Sequence, residues 1–493
     1  MGGIRTALFS YLYAKRHGGD FILRIEDTDQ TRFVEGAEDY IVESLAWCGI
    51  TTDESPAQGG PHAPYRQSER KESGIYKKYA DQLIAGGHAY MAFDTPEEVD
   101  AMRERLDAAK VASQYNSITR QTMRNSLTLS EDEVKKLLDA GTPYVVRLKV
   151  PRNEEIRFHD IIRGWVVVNS STVDDKVLLK SDGMPTYHLA HIVDDIEMKI
   201  THAVRGEEWL PSAPAHILVY RYLGLENIMP EYAHLPLLLK PDGNGKLSKR
   251  DGDRLGFPTF PLDWKDPKTG EVSSGYREKG YYPEAFVNIL ALLGWNPGNN
   301  LELMTLSEMT ELFSFERVSK SGAKFDPEKA KWFNQQYLRK QTNAELAKVF
   351  AEDLEKRGIK TTVNLEKACE LLKEKAHFMH EFWNNGSFFF VPPTSYDADV
   401  IKKRWNEQSA AFITELTEAY KNLSTFTAAE TEATFKATAE KMGIGSGQVM
   451  QLFRVCISGV GGGPILFEMV ELLGKEEVVR RLETALKNLS SQM

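Results

Sequence analysis

The chain has 493 residues, of which 42% are hydrophobic and 27% charged, and it carries a net charge of −10. Its length predicts about three domains, and its composition is typical of a globular protein with sizeable cores. The acidic balance argues against polyanion binding by the whole surface, although a local basic stripe would suffice for a nucleic acid. Three cysteines without a paired spacing exclude a cysteine-rich zinc site. Because no apolar run reaches the length of a membrane helix, we expect a cytoplasmic protein without membrane contact.

The first residues combine two glycines with a helical pattern. Gly2 and Gly3 open a predicted helix that Gly18 and Gly19 end. Backbone N–H groups and the helix dipole at such a start favour a phosphate group. A phosphate-binding turn normally follows a strand, and this chain begins inside the turn.

A short apolar run follows that helix and ends in acidic residues. Phe21–Ile25 is predicted to be a strand, with Glu26 at its carboxyl end. Ligands bind outside the carboxyl ends of strands in open parallel sheets, so Glu26 is placed to meet a cation such as an ammonium group. Asp29 is expected to cap a helix over residues 30–47, and the two roles are compatible.

Residues 90–179 differ in pattern from the segments on either side. A charged helical stretch and a helix start at Ser130 precede three short β-type runs, around 144–148, 165–168 and 177–180. This pattern indicates an α/β insertion between two halves of a sheet domain.

A glycine–proline turn then leads into a predicted helix that carries Tyr187 and His191. These two residues lie one helical turn apart, which suits the lining of a pocket. His188 and His191 could also bind a metal, but the only acids nearby are Asp194 and Asp195, so this alternative is weaker. Arg205 follows a predicted strand, where its guanidinium could pair with a carboxylate.

A basic loop follows the predicted strand 235–239. It contains Lys246, Lys249 and Arg250 between glycines that let the backbone approach a ligand. Such cations can hold the phosphates of a nucleotide, whereas the alternative is a solvated surface loop. We favour phosphate binding, because Gly2–Gly3, Glu26, Arg205 and this loop all fall at strand–loop junctions of one predicted sheet.

From about Thr305 to the end the pattern is helical. This tail has no catalytic cluster, so we interpret it as a recognition module, with a scaffold or oligomerisation unit as the alternative.

These motifs together resemble the bacterial glutamyl-tRNA synthetases. The segments that carry the resemblance are 2–9, 23–29, 185–190, 205–209, the KLSKR run 246–250 and 325–339. The resemblance covers essentially the whole chain. It implies a Rossmann-like α/β catalytic domain of a class I synthetase with an α/β insertion, followed by all-α anticodon-binding domains. The implied division is 1–88 and 181–235 for the two catalytic halves, 89–180 for the acceptor-end insertion, 236–318 for the stem-contact domain, and 319–380 and 381–493 for the anticodon-binding domains.

The resemblance also implies an activity and a set of site residues. Glutamate and ATP would form glutamyl-adenylate and pyrophosphate, and the glutamyl group would then pass to tRNA(Glu). Magnesium would accompany ATP, and the enzyme would act as a monomer. Glutamate contacts are implied for Glu26, Tyr187, His191 and Arg205; ATP contacts for Gly2, Gly3, Glu208, Trp209, Leu238 and Lys249; and a catalytic role in charge stabilisation for Lys246 and Lys249.

Three departures from the family pattern matter. A first strand, its substrate contacts and the first histidine of the ATP-binding motif are expected before Met1, so we expect an amino-terminal truncation. His191 stands where relatives usually carry asparagine. No cysteine lies in the insertion, so we expect no zinc and no other protein-held metal.

Two other functions remain open from the sequence. A glutaminyl-tRNA synthetase shares the catalytic fold but has a β-barrel anticodon module, whereas this tail is predicted to be helical. A tRNA-binding protein without catalytic activity is the alternative from another class. Whether tRNA(Gln) is also a substrate is not determined by these patterns.

Overall fold

The computed structural model describes residues 1–490, apart from the side chains of Lys249, Arg250, Asp253 and Ser490. It divides into two compact units. The first contains Met1–Lys279 and Phe286–Pro327, and the second contains Gly280–Ala285 and the chain from Glu328 onward. Within residues 1–490, no helix is both long enough and apolar enough to cross a membrane.

The described strands all lie in the first unit. They are β1 (Ala89–Ala92), β2 (Val145–Leu148), β3 (Glu155–Asp160), β4 (Gly164–Asn169), β5 (Val177–Leu179), β6 (His202–Gly206), β7 (Glu231–Leu235), β8 (Leu238–Leu239), β9 (Trp264–Lys265), β10 (Val272–Ser273) and β11 (Ala323–Lys324).

The helices up to residue 312 are α1 (Gly2–Arg16), α2 (Ala37–Trp47), α3 (Gln67–Lys71), α4 (Ile75–Ala85), α5 (Pro96–Ala108), α6 (Glu131–Asp139), α7 (Tyr187–Glu197), α8 (Ala213–Leu223), α9 (Lys249–Leu255), α10 (Pro283–Leu292) and α11 (Leu306–Leu312). The later helices are α12 (Pro327–Lys340), α13 (Asn343–Lys356), α14 (Leu365–Lys373), α15 (Glu381–Gly386), α16 (Ala398–Arg404), α17 (Glu407–Lys421), α18 (Ala428–Lys441), α19 (Ser446–Ser458), α20 (Leu466–Leu473) and α21 (Lys475–Ser490).

The central sheet has the order β4-β3-β7-β6. β6 and β7 run parallel, with Arg205 opposite His234 in the register. β3 joins β7 in parallel through Asp160 and Tyr232, and it pairs antiparallel with β4. Strands from the predicted insertion range therefore belong to the same sheet as β6, and the sheet crosses the expected boundary at residue 180.

The core of this sheet is covered by helices on which apolar residues recur at helical spacing. On α8, Ile217, Leu218 and Tyr220 are fully or almost fully buried, and on α7 Leu189 and Ile192 are fully buried. These residues pack into one cluster with the apolar residues of β3 and the β2–β5 strands. Burial of each large apolar side chain contributes about 1.5–3 kcal/mol, so the cluster stabilises the packing of α7 and α8 on the sheet.

The prediction of a continuous strand over Phe21–Ile25 was wrong. The segment forms two isolated parallel bridges instead, from Ile22 to Glu54 and from Ile25 to Arg66. Single bridges of this kind do not build a ladder, although they fix the direction in which the segment leads into the acidic turn after it.

The basic loop does not belong to the central sheet, which corrects the prediction of one shared sheet. β8 pairs in parallel with β11, through Leu238 opposite Ala323. The strand predicted over 235–239 instead divides into β7 and β8 because Pro236 interrupts it: proline has no N–H for a ladder.

One predicted helix is shorter than expected. The predicted helix 30–47 is a 3-10 turn, Gln30–Arg32, followed by α2, and Gly36 adopts a positive φ of 77° between them. Asp29 accepts a hydrogen bond from the Thr31 N–H and therefore caps the 3-10 turn rather than a long helix.

The second unit is helical in the part of the chain that the structure describes, as the sequence predicts. The predicted helical region from about Thr305 also includes β11, which belongs to the first unit and is an exception. Its core consists of apolar residues on α13 to α21, including Phe412, Leu416, Phe435 and Phe453, each fully buried. Capping boxes start several of these helices, as at Thr342 with Glu345, and these satisfy the first backbone N–H groups.

Candidate active site

A groove of about 890 Å³ opens between α1, the Phe21–Glu26 segment, α7 and β6. The side chains of Glu26, Tyr187, His191 and Arg205 all line it, together with Trp209. The structure thus brings together the four residues expected to contact an amino acid. They come from a turn, a helix and a strand that are far apart in the sequence.

Glu26 supplies the negative end of this group. Its Oε1 accepts a hydrogen bond from Arg24 Nη2 at 2.8 Å and lies 3.2 Å from His191 Nδ1. Burial alone would raise the pKa of the Glu26 carboxyl, but Arg24 and His191 lower it well below its usual range. Glu26 is therefore ionised, and about a third of its side chain remains exposed to receive a cation.

Arg24 was not identified from the sequence as a site residue. Its Nη1 donates to Asp195 Oδ1 at 2.9 Å, and its Nη2 lies 3.1 Å from His191 Nδ1. Side chains of an extended segment alternate with a period of two, so Arg24 and Glu26 were expected to face the same way, and this signal could have identified Arg24.

Arg205 supplies the positive end, and it is almost completely buried. Its Nη1 donates to the Tyr187 hydroxyl at 2.8 Å, and its Nε donates to His234 Nε2 at 3.0 Å. Among the residues that the structure describes, its buried Nη2 has no hydrogen-bond partner. An unsatisfied buried donor costs about 1–3 kcal/mol, so an arriving carboxylate would recover that cost.

Aromatic and imidazole rings form the wall between these two ends. The ring of Tyr187 packs against His191 at 5.2 Å and against Trp209 at 4.7 Å between centroids. Burial raises the pKa of the Tyr187 hydroxyl to about 12, although Arg205 opposes the shift. The hydroxyl is therefore protonated at neutral pH and can donate one hydrogen bond while it accepts another.

The alternative of a metal site at the histidines gains no support. His191 Nε2 lies 3.3 Å from Asp195 Oδ2, and His188 Nδ1 contacts His216 Nε2 at 3.4 Å instead. In the described part of the chain, there is no group of three or more histidine, cysteine or acidic residues that could hold a metal ion.

Lys246 and Glu208 meet beside the groove. Lys246 Nζ lies 2.8 Å from Glu208 Oε1, and Lys246 forms a bridge to Leu239 at the base of the loop. Gly243 and Gly245 have positive φ values of 82° and 87°, as a tight turn of this kind requires.

The other predicted ATP residues lie around this loop and at the start of α1. Gly2 and Gly3 form the first turn of α1, and a Cβ on either would meet nothing within 4 Å, so the backbone there is open. Leu238 is buried at the base of the basic loop. Of the predicted ATP residues, only Trp209 lines the groove, as far as the described side chains go.

Lys249 begins α9, but its side chain lies outside the described residues. The Ser248 side chain caps that helix with Asp251, in a capping box. The predicted role of Lys249 therefore stays a prediction.

Arg5 is a further residue that the sequence did not single out. Its Nη1 donates to the Leu293 carbonyl at 3.0 Å, and its Nη2 donates to the Pro236 carbonyl. Burial lowers the pKa of Arg5 to about 10, so it stays charged and ties the start of α1 to the segment before Leu238.

Two family models of known proteins match this chain. A family model described as the catalytic domain of class I tRNA synthetases (E and Q) matches residues 1–332. A model described as an anticodon binding domain matches residues 328–486. These two matches define a class I tRNA synthetase.

Individual relatives narrow the class. A glutamate–tRNA ligase of Cytophaga hutchinsonii is 55% identical over 496 residues, which cover 100% of this chain and 96% of the relative. One of Parabacteroides distasonis is 56% identical over 491 residues, with 99% and 96% covered. A crystal structure of a glutamate tRNA ligase from Elizabethkingia meningosepticum in complex with its amino acid gives a TM-score of 0.94 at 50% identity, with 99% and 96% covered. The chain therefore belongs to the glutamate–tRNA ligase family.

These comparisons confirm the predicted fold class, a class I catalytic domain followed by a helical anticodon-binding region. They do not favour a glutaminyl-tRNA synthetase or an inactive tRNA-binding protein.

Proposed function

We propose that this chain attaches glutamate to tRNA(Glu) in two ATP-dependent steps. In the first, the α-carboxylate of glutamate attacks the α-phosphorus of ATP and pyrophosphate leaves. In the second, a hydroxyl of the terminal adenosine ribose attacks the acyl carbon of glutamyl-adenylate, and AMP leaves. The membership of the glutamate–tRNA ligase family supports this reaction.

The observation that carries the proposal is the separation of charge in the groove. Glu26 is held ionised at one end, and Arg205 keeps a buried Nη2 without a partner in the described structure at the other. Glutamate has an ammonium group and a side-chain carboxylate that match these two ends. Glutamine has no negative side chain for Arg205, so the same contacts would discriminate against it.

Tyr187 and His191 would complete the amino-acid contacts. The Tyr187 hydroxyl is held at 2.8 Å from Arg205 Nη1, so both groups can approach one substrate carboxylate together. His191 Nδ1 lies next to Glu26 and Arg24, where it can hold the carboxylate of Glu26 in place.

ATP would bind between the start of α1 and the basic loop. Gly2 and Gly3 lie in the first turn of α1, where backbone N–H groups have no partner within the helix and could face a phosphate. Lys246 and Lys249 would stabilise the charge that develops as pyrophosphate leaves. Glu208, Trp209 and Leu238 would surround the nucleotide. Magnesium would arrive with the phosphates, because it keeps several waters and needs few protein ligands.

The tRNA would contact the remaining domains. We propose that residues 89–180 meet its acceptor end, 236–318 its stem, and 319–380 and 381–493 its anticodon, in keeping with the anticodon binding model that matches residues 328–486. Local basic patches would bind the phosphates despite the acidic total, so the affinity should fall steeply with salt. We also propose that the protein acts as a monomer in the cytoplasm.

The test is glutamate-dependent ATP–pyrophosphate exchange in the presence of tRNA(Glu), with glutamine and aspartate as competing substrates. Of these three amino acids, we expect only glutamate to support exchange. Arg205→Gln should raise the KM for glutamate at least tenfold, whereas Arg120→Gln, which changes another buried arginine paired to Asp175 at 3.0 Å, should not. Exchange with glutamine and not glutamate would favour the glutaminyl enzyme, and tRNA binding without any exchange would favour the inactive binder.

A further inference from the structure

A chain of three buried residues leads from the interior of the sheet to Arg205. Asp160 ends β3, His234 lies on β7, and Arg205 lies on β6, so three adjacent strands each contribute one member. His234 Nδ1 lies 2.6 Å from Asp160 Oδ2, and Arg205 Nε lies 3.0 Å from His234 Nε2. Asp160 and His234 are both fully buried.

The direction of hydrogen bonding in this chain follows from the arginine. A guanidinium Nε–H can only donate, so His234 Nε2 must accept. The ring proton therefore lies on Nδ1, which donates to Asp160. His234 is thus a neutral imidazole in one fixed tautomer, because each nitrogen has a partner that permits only one role.

The charge states agree with this tautomer. Burial lowers the pKa of His234, and Arg205 and Arg163 lower it further, while Asp160 opposes them. Burial would raise the pKa of Asp160, but His234 and the backbone N–H groups of Arg163 and Ile162 lower it. Asp160 is therefore an anion that accepts a hydrogen bond from His234 Nδ1. Because this bond fixes the neutral His234 ring, His234 Nε2 in turn fixes the orientation of the Arg205 guanidinium.

The consequence is a guanidinium fixed at two of its three nitrogens. Nε is held by His234 and Nη1 by the Tyr187 hydroxyl, while Nη2 is left for a ligand. Arginine loses rotamer freedom when it binds, and a guanidinium that is already oriented loses less of it. A carboxylate that meets Arg205 therefore binds more tightly than it would to an unsupported arginine.

We propose that Asp160 and His234 are positioning residues that orient Arg205 for the substrate carboxylate. The proposal rests on the proposed function, in which Arg205 binds a carboxylate of glutamate. It assigns to two residues in the sheet interior, neither of which lines the groove, a role in amino-acid affinity and in discrimination between glutamate and glutamine.

Two substitutions of His234 separate its two hydrogen bonds. In His234→Gln the amide oxygen can stand where Nε2 stood and still accept from Arg205. In His234→Asn the amide nitrogen can stand where Nδ1 stood and still donate to Asp160, but nothing reaches Arg205. In a third variant, Asp160→Asn, the amide oxygen can keep accepting from the Ile162 and Arg163 N–H groups, so the amide nitrogen faces His234 Nδ1. A donor at that place favours a proton on Nε2, facing the Arg205 Nε–H.

The measurement is steady-state ATP–pyrophosphate exchange with saturating tRNA(Glu), with KM determined separately for glutamate and for ATP. We expect His234→Asn and Asp160→Asn to raise the KM for glutamate at least tenfold and to reduce the preference for glutamate over glutamine. The KM for ATP should change less than threefold, and His234→Gln should keep the KM for glutamate within threefold of the wild type.

The control is Asp175→Asn, because Asp175 is another fully buried aspartate, paired with Arg120 rather than Arg205. It should lower the melting temperature and leave the KM for glutamate unchanged. Equal effects of Asp160→Asn and Asp175→Asn on every parameter would overturn the proposal, since the role would then be structural only. If the asparagine variants do not fold, a tenfold rise of the glutamate KM in His234→Gln overturns it.

Failure of the proposed function gives a different result. In that case the wild-type protein itself would show no glutamate-dependent exchange, whatever the variants do. If the wild type is active but the KM for glutamate is insensitive to His234→Asn, the family function stands and the positioning role is overturned.

Discussion

Lys246 Nζ lies 2.8 Å from Glu208 Oε1, so the basic loop is tied by an ion pair to the turn that follows β6. Both side chains are about half exposed, at 55% and 42%. Exposed ion pairs contribute about 0–1 kcal/mol, so a nucleotide phosphate can displace Glu208 at little cost. The ion pair therefore holds Lys246 near the place where we expect the phosphates of ATP, and Glu208 competes only weakly with a phosphate for Lys246.

This weak pair leads to the first prediction, for Lys246→Ala. We expect the KM for ATP to rise about tenfold, in line with the loss of one charge-assisted phosphate contact of about 1.5 kcal/mol. The melting temperature should change little, because the lost pair is exposed. Pyrophosphate exchange and thermal unfolding measure the two effects.

A matched control exists on α4, where Lys77 Nζ pairs with Asp81 at 2.5 Å and both side chains are exposed. Lys77→Ala should leave the KM for ATP unchanged. An equal KM change in both variants would argue against a phosphate contact for Lys246.

The second prediction concerns Lys249, whose role rests on the family resemblance. Removal of one electrostatic contact to a developing charge typically costs about 10²–10³ in rate. We expect Lys249→Ala to slow adenylate formation by that factor while the KM for glutamate stays the same. Rapid-quench measurement of the first turnover isolates this step, and a loss of less than tenfold would contradict the predicted role.

The third prediction uses the lowered pKa of Glu26. Burial opposes ionisation, but Arg24 and His191 outweigh it, so the folded-state pKa lies well below the ordinary value of 4.5. A lowered carboxyl pKa stabilises the fold above the unfolded-state pKa, and this stabilisation disappears as the pH falls through the folded-state pKa. The stability advantage of the wild type over Glu26→Gln should therefore be constant above about pH 5 and shrink in acid, as urea midpoints at several pH values would show.

The same variant should also bind glutamate less well, because the amide cannot pair with the substrate ammonium. Glu38→Gln is a control outside the groove, since Glu38 pairs with Arg66 at 2.6 Å. A stability difference between wild type and Glu26→Gln that grows below pH 4 would contradict the ionised state argued for Glu26.

The sequence identified the residues expected to contact the amino acid, but not the buried residues that hold them in place. Tyr187 and His191 were predictable because helical spacing places them on one face, and Glu26 and Arg205 because they follow extended segments. Asp160 and His234 were not, since their contact depends on the register between β3 and β7, which are about 70 residues apart. No local pattern encodes a register of that range.

The position of β7 shows the same limit. The apolar run 235–239 has the composition of a strand, but Pro236 cannot donate to a ladder, and the strand that pairs with β6 is Glu231–Leu235. The predicted strand began at residue 235, one residue after His234. For this reason the sequence did not identify His234 as the residue opposite Arg205.

The last prediction concerns His188, whose ring contacts His216 Nε2 at 3.4 Å. Burial lowers the pKa of His188 to about 4, and the nearby charges of Lys176, Arg205 and His191 act in the same direction against Asp174. The unfolded chain therefore binds a proton near pH 6.5 that the folded chain does not bind until about pH 4. Stability must rise with pH across that window, and His188 contributes to the slope.

His188→Gln removes that contribution. Between pH 6.5 and 4 we expect the wild type to lose more unfolding free energy than the variant, with the two slopes equal above pH 7. Urea unfolding at half-unit pH intervals gives the slopes, and a variant slope equal to that of the wild type would show that His188 is protonated equally in both states.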